Sequence, residues 1–465
     1  MHVAIISHDL TSRFNTSLEF ADRLALAGHR VTYITHADVG DIVNAHGHDF
    51  RRLSSTPAHS PWLTRPSLRG LFPWIRKARQ LRRSTADDDE IERTVSAVNP
   101  DILLIDIEMH YAVIAVTHIP IPAVLYMNWF CIYRLPDMPP MNSGFAPTGT
   151  KSDSRRIRLA WQRARIDVLI RRIRRKLGPA MIGDLLRPIS YATYHYADVE
   201  AAARARRVRL GARSDRRQWL EPLMFMDLPV LSFTAREMDF PHDPHPNMRY
   251  VGPMIANARP SGDEDQTSLD AWEEYLVAMD EDPDRGPIVY CSLGSYLTDL
   301  TFLQTVVEAF RRRPEWNLVL GLGRQVNRDA LGETPANVLV LDWAPQLEAL
   351  NVASAAISHG GSSSVHECIA NAVPILVYPP GRHDLDQNGN AARVEHHGLG
   401  LVGQWGVDGP AEIVAHLDRL ISEPSFRSNV AAMREIFGAY RANGTAVLTL
   451  ELELRSARAD AADRQ

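Results

Sequence analysis

The sequence predicts an α/β protein built as two halves, each around a parallel sheet. Three observations carry this. Short apolar runs of strand length recur, separated by stretches of helical period. The alternation restarts after a segment rich in Pro, Asn, Gly and Asp near the middle of the chain. The 465 residues are 45% hydrophobic and 23% charged, a globular composition with enough apolar residues for two cores.

The elements follow in order. Residues 3–7 read as a strand, then a loop, a helix ending at Ala27-Gly28, and a second strand at 30–35. That is a βαβ unit, whose parallel strands need a crossover helix. The apolar run 101–106 is a further buried strand, followed by a helical stretch and a strand at 123–126. Residues 151–217 hold 19 Lys and Arg against 6 Asp and Glu. This stretch reads as a solvated basic helical face. Because Trp161, Leu169, Ile170, Ile173 and Leu177 interleave with the arginines, a peripheral membrane contact is the second reading. The linker is expected at 246–267. Beyond it, strands are expected at 288–292, 318–322, 338–341, 355–358 and 375–378. The expected domains are 1–245 and 268–430, both Rossmann-like, with the C-terminal helix of 431–465 returning to the first.

Several classes are excluded. The net charge of −5 does not suit a nucleic-acid-binding polycation. Three scattered cysteines, Cys131, Cys291 and Cys368, make no disulfide framework or metal knuckle and fit a reducing, cytoplasmic setting. The opening MHVAIISHDL has no basic leader, so no signal peptide is expected. The apolar region 102–135 is broken by Asp106, Glu108, His110, His118, Pro120 and Pro122, so it is not a membrane span. Neither Asp384 and Asp386 nor the pair His242 and His245 is expected to bind a metal.

The chemistry concentrates in 343–402. A strand ends at Ser358-His359, two glycines allow a tight turn, and Ser362-Ser363-Ser364 can cap a helix. A helix N-terminus presents unpaired N–H groups to an anion, here suited to a diphosphate. Glu367 shares the helix face of Ser363 and Ser364.

This block resembles the nucleotide-binding signature of inverting nucleotide-sugar glycosyltransferases of the plant UDP-glycosyltransferase and bacterial macrolide-glycosyltransferase type. The resemblance is strong over 286–402, moderate at the N-terminus and weak over 128–230. It implies a GT-B fold: two facing Rossmann-like domains around a cleft. It also implies roles. Trp343 stacks on uracil, Gln346 meets the base and ribose edge, and Ser295, His359, Gly361, Ser363 and Ser364 cradle the diphosphate. Glu367 is the ribose carboxylate, which favours a UDP-sugar over a dTDP-sugar. Asp386 and Gln387 grip the sugar, with glucose favoured. No cofactor or metal is implied; the UDP-sugar is a co-substrate. The other expected partner is a lipophilic small molecule, such as a natural product, held by Tyr126, Trp129 and Phe130. A membrane lipid is the next choice of acceptor.

One position departs from the pattern. Arg13 stands where the general-base histidine is expected, and arginine stays protonated. Asp106 matches the aspartate that orients that base. Three explanations remain open: a neighbour (His8, Asp9, Glu108 or His110) is the base, the acceptor needs little deprotonation, or the chain is a non-catalytic auxiliary homologue. A UDP-sugar epimerase is the enzyme rival.

Overall fold

The computed structural model describes residues 1–8, 11–54, 85–177, 228–256, 266–281, 285–294, 299–323, 326–380 and 386–463. Two parallel sheets form the frame. The first contains β1 (His2–Ile6), β2 (Arg30–Thr35), β3 (Asp49–Arg52), β4 (Ile102–Asp106), β5 (Ala123–Met127), β6 (Val230–Ser232) and β7 (Met248–Tyr250). Its order is β3-β2-β1-β4-β5-β6-β7. The second contains β8 (Ile288–Ser292), β9 (Asn317–Gly321), β10 (Val338–Leu341), β11 (Ala355–Ser358), β12 (Ile375–Val377) and β13 (Gly400–Val402). Its order is β10-β9-β8-β11-β12-β13.

The central strands are apolar on both faces because helices cover both sides. Val3 and Ile5 enter one core with Ile102 and Leu104, while Ala4 and Ile6 enter another with Leu103 and Ile105. In the second sheet Val289 and Cys291 face one core with Leu318 and Leu320. Tyr290 and Val319 face the other way, into the same apolar cluster as Ala4 and Ile6. That cluster therefore runs across the domain boundary.

The strand order reverses direction between β1 and β4, and again between β8 and β11. Ligands of open α/β sheets bind outside the carboxyl ends of strands at such switch points. Residues 7–8 and 107–108 follow the first pair, and 293–294 and 359–361 follow the second.

Two expectations are corrected. The stretch 246–267 is not all linker: β7 pairs with β6 in the first sheet, Val230 opposite Met248. Met248, Val251 and Met254 are buried among first-domain side chains, so apolar burial overrides the Pro-rich composition. In the basic segment, helix Lys151–Leu177 turns Trp161 inward, where its indole N–H donates to the Met138 carbonyl at 2.7 Å. Trp161 is thus a packing residue and not a membrane contact. Arg155, Arg158, Arg163 and Arg165 are exposed. Leu169, Ile170 and Ile173, with residues 178–217, lie outside the side chains described. Among the described residues no helix is long and apolar enough to cross a membrane.

The C-terminal helices join the two domains. Helix Pro424–Ala442 starts in the second domain, where Phe426 is buried. It ends at the first, where Tyr440 Oη donates to Glu237 at 3.0 Å. Helix Thr445–Ala462 then buries Ala446, Val447, Leu450 and Leu454 against Val3, Ile5 and Leu24.

Candidate active site

The second domain supplies a helix N-terminus at the end of β11. Helix Ser362–Ala370 has Gly361 as its N-cap, with no side-chain cap. The expected serine cap is replaced: Ser362 is the first helical residue, and its hydroxyl donates to Asp386 Oδ2 at 2.5 Å. Val365, His366, Cys368 and Ile369 are buried, which leaves Ser363, Ser364 and Glu367 half-buried on the opposite face.

His359 lies between two glycines. A Cβ on Gly294 would come within 2.9 Å of its Cε1, and one on Gly361 within 2.9 Å of its Nε2. Glycine at both places is what lets the ring fill this slot. Burial pushes the imidazole pKa down to about 4, against the attraction of Asp386. The ring is therefore neutral at physiological pH, and its Nδ1 is buried with no partner among the described residues.

Gln346 and Glu367 meet as a pair, the Gln346 amide donating to Glu367 Oε2. Trp343 is half-buried beside them in sequence, its backbone N–H 3.5 Å from Ser268 Oγ. Asp386 is held by Ser362 and by Asn390 Nδ2 at 2.9 Å. Gln387 opens the next helix, and its Oε1 is buried with no partner among the described residues. Ser295 lies outside the described residues.

Across the cleft, the first domain presents a charged cluster. Arg13, 7% exposed, lies 3.5 Å from Glu108 Oε1 and stacks 4.5 Å from the Trp129 ring. Burial opposes the guanidinium charge. Glu108, Asp106 and Asp386 together outweigh it and raise the pKa further. Asp386 belongs to the other domain, so this cluster faces the residue expected to hold the sugar. Arg13 thus pairs directly with Glu108, while Asp106 acts on it as a nearby charge. Asp106 is fully buried, and its Oδ1 accepts the Glu108 backbone N–H at 2.9 Å. Burial raises its pKa, the Glu108 charge adds to this, and Arg13 opposes. His8 is 4% exposed and close enough to act electrostatically on Asp106. Asp9 and the side chain of His110 lie outside the described residues.

The acceptor residues separate. Trp129 is half-buried under Arg13. Tyr126 is fully buried in the middle of the first sheet and stacks on Phe233 at 5.2 Å. Phe130 is 1% exposed and packs 4.2 Å from the Arg393 guanidinium. Both side chains pack in apolar cores, Tyr126 within β5 and Phe130 beyond its end.

Sequence reasoning missed the group that fastens the two domains together. Arg393 Nε and Nη2 donate to Asp239 Oδ1 at 2.8 and 2.6 Å, with side chains 1% and 0% exposed. Phe130 and Phe240 lie 4.2 and 4.3 Å from the guanidinium. The partners are 154 residues apart, and no local pattern announces such a pair. Among the described residues no three His, Cys, Asp or Glu side chains are grouped as metal ligands. His242 is engaged with the Phe240 carbonyl and Tyr250 Oη, and His245 stacks on Tyr133 at 3.6 Å.

Residues 226–439 match the family described as UDP-glucoronosyl and UDP-glucosyl transferase. Oleandomycin glycosyltransferase of Streptomyces antibioticus is 41% identical over 115 residues, 24% of this chain and 26% of that one. Zeaxanthin glucosyltransferase of Pantoea ananas is 26% identical over 410 residues, 86% of this chain and 84% of that one. The chain spans only 26% to 34% of the length of the curated relatives with the strongest local likeness. Among solved structures, the glycosyltransferase of kitacinnamycin superposes with a TM-score of 0.67 at 22% identity, covering 98% of both chains. Its likeness concerns the fold. With the paired switch points and the glycine-lined histidine at the end of β11, these matches make residues 226–439 similar to the UDP-glucoronosyl and UDP-glucosyl transferase family, and the chain has a GT-B fold.

Proposed function

We propose that the chain is an inverting, metal-independent glycosyltransferase that moves a sugar, with glucose favoured, from a UDP-sugar to a lipophilic small-molecule acceptor. The carrying observation is the half-buried face of Ser363, Ser364 and Glu367 at a helix N-terminus, with neutral His359 beside it. Unpaired N–H groups there suit the diphosphate. The Glu367 carboxylate, tied to Gln346, suits ribose hydroxyls.

In the step proposed, an acceptor hydroxyl attacks the anomeric carbon. The bond from that carbon to the diphosphate oxygen breaks, and its electron pair leaves on UDP. The helix terminus stabilises the growing charge. The hydroxyl proton passes to a base, a role a guanidinium cannot fill. Exposure favours Glu108 among the neighbours. Its side chain is 18% exposed, against 0% for Asp106 and 4% for His8. Trp129 offers the acceptor an aromatic face.

Titration calorimetry with UDP, UDP-glucose and dTDP tests the donor site. UDP is expected to bind and to weaken in Glu367→Ala. No UDP binding by the wild type sinks the reading. Glu108→Gln is expected to lose about 10²–10⁴ in turnover with UDP affinity kept, and full turnover removes Glu108 as base.

A second reading, a nucleotide-binding protein without catalysis, is favoured by the Arg13–Glu108 ion pair. Single-turnover sugar transfer to any hydroxyl acceptor rejects it.

A further inference from the structure

We propose that Tyr290 is a positioning residue that sets how strongly the chain distinguishes ribose from 2′-deoxyribose nucleotides. This rests on the donor-site reading above, with Glu367 facing the sugar of the nucleotide.

Hydrogen-bond direction sets how these side chains pair. An ionised carboxylate only accepts, so Gln346 must turn its NH2 group toward Glu367. Its Oε1 then faces Tyr290, whose hydroxyl lies 3.2 Å away and must donate. The three side chains form a relay with one permitted sense. Flipping the amide would set its oxygen against the carboxylate, two acceptors with no proton between them. Tyr290 and Gln346 are 4% and 8% exposed, so water competes little for either bond. The origin of the relay is rigid. Tyr290 sits mid-strand in β8, opposite Val319 on one side and Ala356 on the other. A group on a central strand holds its partners more closely than one on a loop.

The chemical consequence is specific. Without the phenol, the Gln346 amide keeps its bond to Glu367 but loses the one that anchors it to β8. The N–H that Gln346 gives Glu367 is then no longer tied to the strand, and the carboxylate is aimed less closely. The energy lost should come from the contact with the 2′-hydroxyl, not from the diphosphate or the base.

The test is calorimetry with UDP and 2′-deoxy-UDP on the full chain. Wild type is expected to prefer UDP by at least about tenfold, the worth of a hydrogen bond to a charged group. Tyr290→Phe should bring the ratio within roughly threefold of unity while the 2′-deoxy-UDP affinity stays put. Glu367→Ala should abolish the preference, and Tyr290→Phe added to it should change nothing more. Thermal melting checks the fold, and Tyr290→Leu gives a second apolar replacement should Phe melt early. A wild-type ratio in Tyr290→Phe overturns the inference and leaves the donor site standing. So does equal binding of the two nucleotides by wild type. Failure of wild type to bind either one overturns the donor-site reading and this inference with it.

Discussion

Replacing Arg393 with Met should loosen the whole molecule, because it strands a buried carboxylate. Asp239 would keep the Tyr250 hydroxyl at 2.5 Å, the Cys131 N–H at 2.9 Å and the Phe240 N–H at 2.8 Å. It would lose both guanidinium bonds, at 2.8 and 2.6 Å. The bonds from Arg393 Nη1 to the Gly389 and Met141 carbonyls, at 3.0 and 3.4 Å, would go as well. Removing one partner of a buried pair costs about 3–5 kcal/mol. At roughly 2–4 °C per kcal/mol for units of this size, calorimetric melting should drop by about 6–20 °C. The pH dependence supplies a second signature. In the wild type, burial raises the Asp239 pKa, but Arg393, Tyr250 and the Cys131 N–H outweigh it and hold it below the ordinary value. Its contribution is therefore present above the unfolded carboxylate pKa and is lost as pH falls through the lower folded value. In the variant, burial dominates and the folded pKa rises. Protonation then relieves the penalty, so the deficit should shrink between about pH 7 and pH 4. Asp239→Asn combined with Arg393→Met should cost less than the two single changes summed. A variant melting within about 2 °C of wild type would refute the reasoning.

Other outcomes follow from the same coordinates. Burial pushes His366 down to about 4. That group stabilises the fold above its unfolded pKa of 6.5, and the contribution is lost as pH falls from there toward 4. His366→Phe should flatten the stability profile over that window by up to about 3 kcal/mol, read by urea unfolding from pH 7 to pH 4; an unchanged slope refutes it. Gly389→Ala should force helix Gln387–His396 off the first domain, since its Cβ would sit 1.7 Å from the Met141 carbonyl oxygen. Faster proteolysis near that helix is the readout, and a wild-type digestion rate counts against it. Leu450→Ala should cost about 2–5 kcal/mol, although Leu450 follows the second domain in sequence, because it is fully buried in the first-domain core. Melting curves decide this, and a loss under about 1 kcal/mol is too small for a buried leucine.

The sequence carried most of the frame, and its omissions have physical causes. The long apolar strands β1, β4 and β8 are buried on both faces, so they read without help from alternation. β6, β7 and β13 are three residues each, too short to show a period. β7 also sits inside a Pro- and Gly-rich stretch, and tertiary contacts set its pairing with β6. Glu367 could be placed on one face with Ser363 and Ser364 because helical spacing is local. Asp386 could not be placed with Ser362, 24 residues away, because tertiary packing sets that contact. Tyr126 and Phe130 looked like pocket aromatics, since composition does not tell a covered strand from a cleft wall.

Besides the buried Arg393–Asp239 pair, the chain itself joins the two domains at two separate places. The chain is in the first domain at Met254 and in the second by Ser268, and helix Pro424–Ala442 passes back with its ends in different domains. A single tether would leave rotation free about every axis. A second one, built as a stiff rod, removes all but the swing about the line joining the two attachment points. Opening and closing of the cleft should therefore follow one arc, and the same pairs of residues should meet each time it shuts.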